Sequence, residues 1–140
     1  MMWYGEYVGI PFKTLGRTKL GCDCYGLIKL VLQEQYQIEL PEIANYIDAL
    51  DQESIKHVID ENVPLLSGEK QLEPREGLVV VLSSTEGISS HVGLMITDKL
   101  MLHTTNKTGA LIEPLTSKYI KNRIEGYYDV NKSYSTNRSI

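Results

Sequence analysis

The chain has two cysteines and three histidines in 140 residues, few enough to weigh one by one. Both cysteines fall in one short stretch, GCDCYGL, Gly21 to Leu27, directly ahead of an apolar run. Three chemistries compete for such a pair: a disulfide, a metal site or a reactive thiol. A C-x-C loop strains disulfide geometry, so a disulfide scaffold is not expected. Cys22, Cys24, His91 and His103 are zinc-ligand types, but C-x-C lacks the usual knuckle spacing. Small buried hydrophobes are the bland alternative for both thiols. No metal is assigned.

Apolar residues at Leu27, Ile28, Val31 and Leu32 have helical spacing and predict a helix from Cys24 to about Gln37, with Asp23 as its N-cap and IELP, ending in Pro41, as its stop. Cys24 then occupies the first turn. Unpaired N–H groups and the helix dipole favour negative charge there, so the thiol is expected to ionise more readily. The same N–H groups could hold an oxyanion. Cys22 precedes the helix and lacks this benefit, so Cys24 is the candidate nucleophile.

A cysteine nucleophile needs a base. His57 lies in the charged stretch ESIKHVIDEN and reads as solvated. His91 opens the strand HVGLMIT, and His103 sits in the next, LMLHTT. Val92, Leu94 and Ile96 share the face expected to meet the core; His91, Gly93 and Met95 share the other. A two-residue loop at Asp98-Lys99 would pair Leu94 with His103 and send the two histidines to opposite faces. An odd-length loop or a bulge brings both to one face. The catalytic reading requires the odd register.

The elements that must position these groups follow from periodicity. The first twenty residues carry Gly5, Gly9, Pro11 and Gly16 and read as irregular. Two further helices are expected between Pro41 and Asn62, then a loop from Val63 to Gly77. From GLVVVLS onward the period is two, through HVGLMIT, LMLHTT, ALIEP and RIEGYYDV. Helices followed by antiparallel strands make an α+β fold, N-terminal helices packed on an antiparallel sheet, as one domain over residues 1–130 with a polar tail at 131–140. A net charge of −4 argues against a nucleic-acid partner. No apolar run is long enough for a membrane span. No secretory signal is visible at the start, so synthesis and folding in the cytoplasm are expected.

The stretches YVGIPF, LGRTKLGCDCYGLIKLVLQEQYQIELP, HVGLMI and LMLH resemble the NlpC/P60 cysteine peptidases, papain-like enzymes that cut peptidoglycan stem peptides. The likeness covers about residues 4 to 128. GCDCYGL followed by LIKLV and ELP, and the closing NRIEGYY, look like the phage-tail branch. The resemblance implies Cys24 as nucleophile, His91 as general base and His103 as the group that orients it. It implies substrate contacts around Asp23, Tyr25, Phe12 and Tyr7, no cofactor, and a scissile amide of the D-glutamate–diamino acid type. Phage tail proteins and a virion tail location follow from the branch.

The chain departs from the family pattern in several places. Phe12 stands where relatives have a tyrosine whose hydroxyl enters the site, with Tyr7 or Tyr4 as substitutes. Tyr25 stands where relatives often have serine, and Leu78 replaces an aspartate. The interval from Cys24 to His91 is longer than in compact relatives, with the extra helices as a lid or docking surface. Two other readings stand beside the peptidase: a structural tail component with the same fold, and another papain-like amidase or acyltransferase.

Overall fold

The apolar spacing after Asp23 produces one long helix, α1, over Cys24–Tyr36, seen in a computed structural model that describes residues 3–42, 70–83 and 89–130. The helices expected between Pro41 and Asn62, His57 with them, and the tail 131–140 lie outside the described residues. Asp23 has extended backbone and its carboxylate accepts the Gly26 N–H at 2.8 Å, as an N-cap does. The other end falls about where the spacing predicts, but its stop is Gln37 and not Pro41. The helix stops at Tyr36, well before Pro41, because Gln37 turns left-handed (φ 55°, ψ 40°) and Ile38 N–H donates to the Leu32 carbonyl at 3.0 Å.

Ahead of α1 the chain is less irregular than expected. A 3₁₀ turn at Trp3–Glu6 sets Trp3 edge-on against Tyr7 and Tyr36, with ring centroids 5.8 and 5.9 Å apart. Two short strands, β1 (Arg17–Thr18) and β2 (Gly21–Cys22), form an antiparallel hairpin that feeds straight into Asp23 and the helix.

The main sheet has six strands among the described residues: β3 (Lys70–Gln71), β4 (Val79–Ser83), β5 (Ser89–Met95), β6 (Leu100–Thr105), β7 (Gly109–Pro114) and β8 (Ile124–Tyr128). Their order is β3-β8-β4-β5-β6-β7, every neighbouring pair antiparallel. β3 falls in the stretch expected to be loop; two residues carry no readable alternation. The α+β architecture otherwise follows the sequence reading.

Both faces of the central strands are covered. Val79, Val81, Val92, Leu94, Ile96 and Leu102 pack with Leu27, Ile28, Val31 and Leu32 of α1. Leu78, Val80, Leu82, Met95, Met101 and Ile120 form a second cluster. Burial on both faces explains why VVVL in β4 is apolar at every position rather than at alternate ones. Leu78, at the position where an aspartate was the comparison, is fully buried there.

The N-terminal segment pairs with the start of β7 on its outer edge. Gly9 N–H donates to the Ala110 carbonyl and Ala110 N–H to the Ile10 carbonyl, both at 2.9 Å. Two residues on, Cys22 N–H donates to Pro11 O and Lys13 N–H to Cys22 O, both at 3.0 Å. Residues 9–13 thus stitch the start of the sheet edge to the start of α1.

Candidate active site

Helix α1 presents Cys24 through a tight backbone contact. Asp23 accepts hydrogen bonds from Gly26 N–H (2.8 Å), Leu15 N–H (2.8 Å) and the Arg17 guanidinium (3.0 Å). Its carboxylate therefore holds the loop at 15–17 against the first turn. Gly26 fits because it has no side chain: a β-carbon there would stand 1.9 Å from the Gly16 carbonyl oxygen.

The turn between β5 and β6 has three residues, not two. Ile96 N–H donates to Leu100 O at 3.0 Å, and the Thr97 hydroxyl accepts the N–H groups of Lys99 (3.1 Å) and Leu100 (3.0 Å). Leu94 consequently pairs with Leu102 and Met95 with Met101. This is the odd register, and it puts both strand histidines on one face. His91 Nε2 lies 2.8 Å from His103 Nδ1, with the rings edge to face. Gly93 makes room: a β-carbon on it would meet the Met101 sulfur at 2.6 Å and His103 Cβ at 3.3 Å.

The same two strands separate where the thiol sits. Met95 N–H donates to Leu78 O at 2.8 Å, so odd-numbered β5 residues turn their N–H groups to β4 and even-numbered ones to β6. The β5–β6 pairing runs no further toward His91 than Leu94. The next β6-facing N–H, that of Val92, points instead at the Cys24 sulfur. The thiol thus occupies the split in the ladder, beside the residue that follows His91.

Burial changes the expected electrostatics. Cys24 is only 7% exposed. Burial pushes its thiol up to about 12, with the adjacent Asp23 carboxylate adding to the rise. The N–H groups of Val92, Tyr25 and Cys24 itself pull the other way without overcoming it. The expectation that the helix start makes this thiol more acidic is therefore not met in the resting site: desolvation outweighs the local N–H groups. Cys22 is also pushed up, to about 11, chiefly by burial, and its Sγ faces the Thr18 carbonyl at 3.1 Å. His91 is pushed down to about 3 by burial, then by His103 and Arg123. Thiol and imidazole both rest neutral.

A carboxylate that sequence reasoning passed over completes the array. His103 Nε2 lies 2.8 Å from Glu113 Oε1 on β7, and the Ser117 hydroxyl donates to Glu113 Oε2 at 2.6 Å. Burial alone would raise Glu113, but hydrogen bonds from Ser117 and His103 and the charge of Arg123 hold it below the ordinary range. Burial lowers His103, against the pull of Glu113. Arg123 is anchored on the carbonyls of Ser83 and Tyr119. The signal for Glu113 was present: one acidic residue in the apolar run ALIEP, two positions beyond Leu111, the cross-strand partner of His103.

The residues assigned to substrate contact are otherwise engaged. Tyr7 is fully buried; its hydroxyl donates to Glu34 at 2.6 Å and accepts from Gln35 at 3.0 Å. Those partners lie ten and eleven residues along α1 from Cys24, roughly 15 Å at the helical rise, so Tyr7 does not reach the site. The Tyr25 hydroxyl donates to the Pro41 carbonyl, and the Arg17 guanidinium lies 5.6 Å from its ring centroid. Asp23 is fully buried in its cap. Phe12 alone is partly exposed, bridged to Cys22 at the mouth of the helix. Among the described residues, no three His, Cys, Asp or Glu side chains converge to hold a metal ion, and no helix is long and apolar enough to cross a membrane.

The sequence model of the NlpC/P60 family matches residues 9–128. A murein DD-endopeptidase MepS/murein LD-carboxypeptidase of Escherichia coli K12 is 28% identical over 120 residues, 86% of this chain and 55% of that protein. This chain thus spans about half the length of that relative. An NLP/P60-family protein described as similar to lipoprotein, from Staphylococcus aureus Mu50, superposes with a TM-score of 0.62 at 21% identity, over 89% of this chain and 38% of that one. The NlpC/p60 domain of the peptidoglycan hydrolase SagA does so at 0.55 and 17% identity, over 89% of this chain and 91% of that one.

Proposed function

The chain belongs to the NlpC/P60 family, and from that premise we propose that it is a cysteine peptidase hydrolysing peptidoglycan stem peptides at an amide of the D-glutamate–diamino acid type. Cys24 is the nucleophile, His91 the general base and His103 its orienting partner. The observation that carries the reading is the 2.8 Å contact between His91 and His103 on the odd register, with the neighbouring Val92 N–H directed at the Cys24 sulfur. A relative named for murein endopeptidase activity supports the substrate class.

The chemistry follows from a neutral pair. As the Cys24 sulfur attacks the carbonyl carbon, its proton passes to His91, so no standing ion pair is needed. N–H groups of the first helical turn face the oxyanion that forms. The C–N bond breaks as the leaving amine takes the proton from His91. Water, deprotonated by His91, then cleaves the thioester and the thiol is restored. Phe12 offers no hydroxyl to the oxyanion, so that task falls to backbone groups.

Digestion of purified stem peptides, with product masses and a Cys24→Ala control, tests the reading. Cleavage between D-glutamate and the diamino acid that vanishes in the control is expected; intact peptides at high enzyme concentration would refute it. We assign the enzyme to a phage tail on the likeness of GCDCYGL, LIKLV and ELP to that branch. Its absence from purified particles of the producing phage would refute this assignment and leave the peptidase reading standing.

A further inference from the structure

We infer that Glu113 is a positioning residue that sets the tautomers of both histidines, leaving Nδ1 of His91 as the nitrogen that receives the thiol proton. The inference follows the hydrogen bonds inward from the carboxylate. Glu113 accepts from Ser117 through Oε2 and faces His103 Nε2 through Oε1 at 2.8 Å. An ionised carboxylate has no proton to donate, so His103 Nε2 must carry the hydrogen. In a neutral imidazole the other nitrogen is then bare, and His103 Nδ1 is an acceptor. The atom facing it at 2.8 Å is His91 Nε2, which must therefore donate. His91 Nδ1 is left with its lone pair.

One carboxylate on β7 thus dictates proton placement two side chains away. Without it, His103 could equally carry its hydrogen on Nδ1. His91 would then have to accept at Nε2 and hold its own proton on Nδ1, where it could take none from sulfur. Glu113 also stabilises the positive charge that reaches the imidazole pair during attack. The other charged group acting on the pair is Arg123, ahead of β8, which disfavours that charge.

The catalytic consequence rests on the peptidase reading; the tautomers do not. Long-range ¹H–¹⁵N spectra of histidine-labelled protein at neutral pH should show both His91 and His103 protonated at Nε2. The Glu113→Gln variant should mix the tautomers of His103, lower kcat by about 10- to 100-fold with KM within twofold, and move the acidic limb of the kcat profile to lower pH. The last shift follows because the imidazolium loses its anion. Glu113→Asp should recover part of kcat.

A wild-type spectrum with His91 protonated at Nδ1 overturns the inference without any variant. So does a Glu113→Gln protein with unchanged tautomers, whether or not kcat falls. Wild-type protein with the expected tautomers that cleaves no stem peptide leaves the tautomer assignment intact and refutes the peptidase reading. Active wild type with an indifferent Glu113→Gln does the reverse.

Discussion

Gly26 and Gly16 touch so closely that a single methyl group could not be placed between them: a β-carbon on Gly26 would lie 1.9 Å from the Gly16 carbonyl oxygen and 2.9 Å from the Arg17 guanidinium. The obstacle is backbone, pinned by the Asp23 carboxylate, and cannot swing aside. In an open helix, glycine to alanine would gain up to about 1 kcal/mol. Here Gly26→Ala should instead cost about 2–3 kcal/mol in urea unfolding. A stabilised variant would mean that the loop at 15–17 does not press on the helix.

Thiol reactivity should report burial rather than activation. Alkylation of resting Cys24 by iodoacetamide should be slow at neutral pH and climb steeply as pH rises toward about 12. Asp23→Asn keeps a capping oxygen but removes the anion beside the sulfur, so the thiol should ionise at lower pH and label faster at pH 8. Fragment-ion mass spectrometry separates Cys24 from Cys22, which should lag because it is fully buried. Rapid labelling of wild-type Cys24 at pH 7 would contradict this account.

Stability should fall on mild acidification. His91 titrates near 6.5 when unfolded but is held down to about 3 in the fold. Between those values the unfolded chain binds the proton and the folded one does not, so stability is full above pH 6.5 and declines toward pH 3. From pH 7 to pH 5 the loss attributable to His91 should be about 2 kcal/mol. Urea midpoints measured at both pH values, with His91→Gln as reference, check this. An equal pH slope in the variant would place the titration elsewhere.

Tyr7→Phe should affect folding rather than turnover. It removes a hydroxyl held between Glu34 and Gln35, far along α1 from Cys24. A loss of about 1 kcal/mol in stability is expected, with kcat/KM on stem peptides within twofold. A selective rise in KM would return Tyr7 to the substrate.

What was legible in the sequence was local. Asp23, the helical spacing behind it and the alternation from Val79 onward gave α1 and most of the sheet, and with them the candidates Cys24, His91 and His103. The hairpin register was posed as a question but could not be answered, because the three-residue loop is closed by the Thr97 side chain rather than by a glycine signal. The stop of α1 was assigned to Pro41 for a related reason: Gln37 adopts the left-handed turn that glycine usually announces. The high resting pKa of Cys24 was invisible because desolvation belongs to the assembled core. Glu113 was readable in principle, once the β6–β7 register put it on the His103 side.

The stitch between Gly9–Ile10 and Ala110 joins positions about a hundred residues apart. Contacts of such long range are slow to form, since the intervening chain must first be brought to order. The segment that carries this stitch also leads to the helix mouth, so the proposed nucleophile and its imidazoles are assembled only after the late strands have been made and paired. On the proposed roles, a nascent chain exposing Cys24 alone is chemically idle, and competence arrives with completion of the sheet.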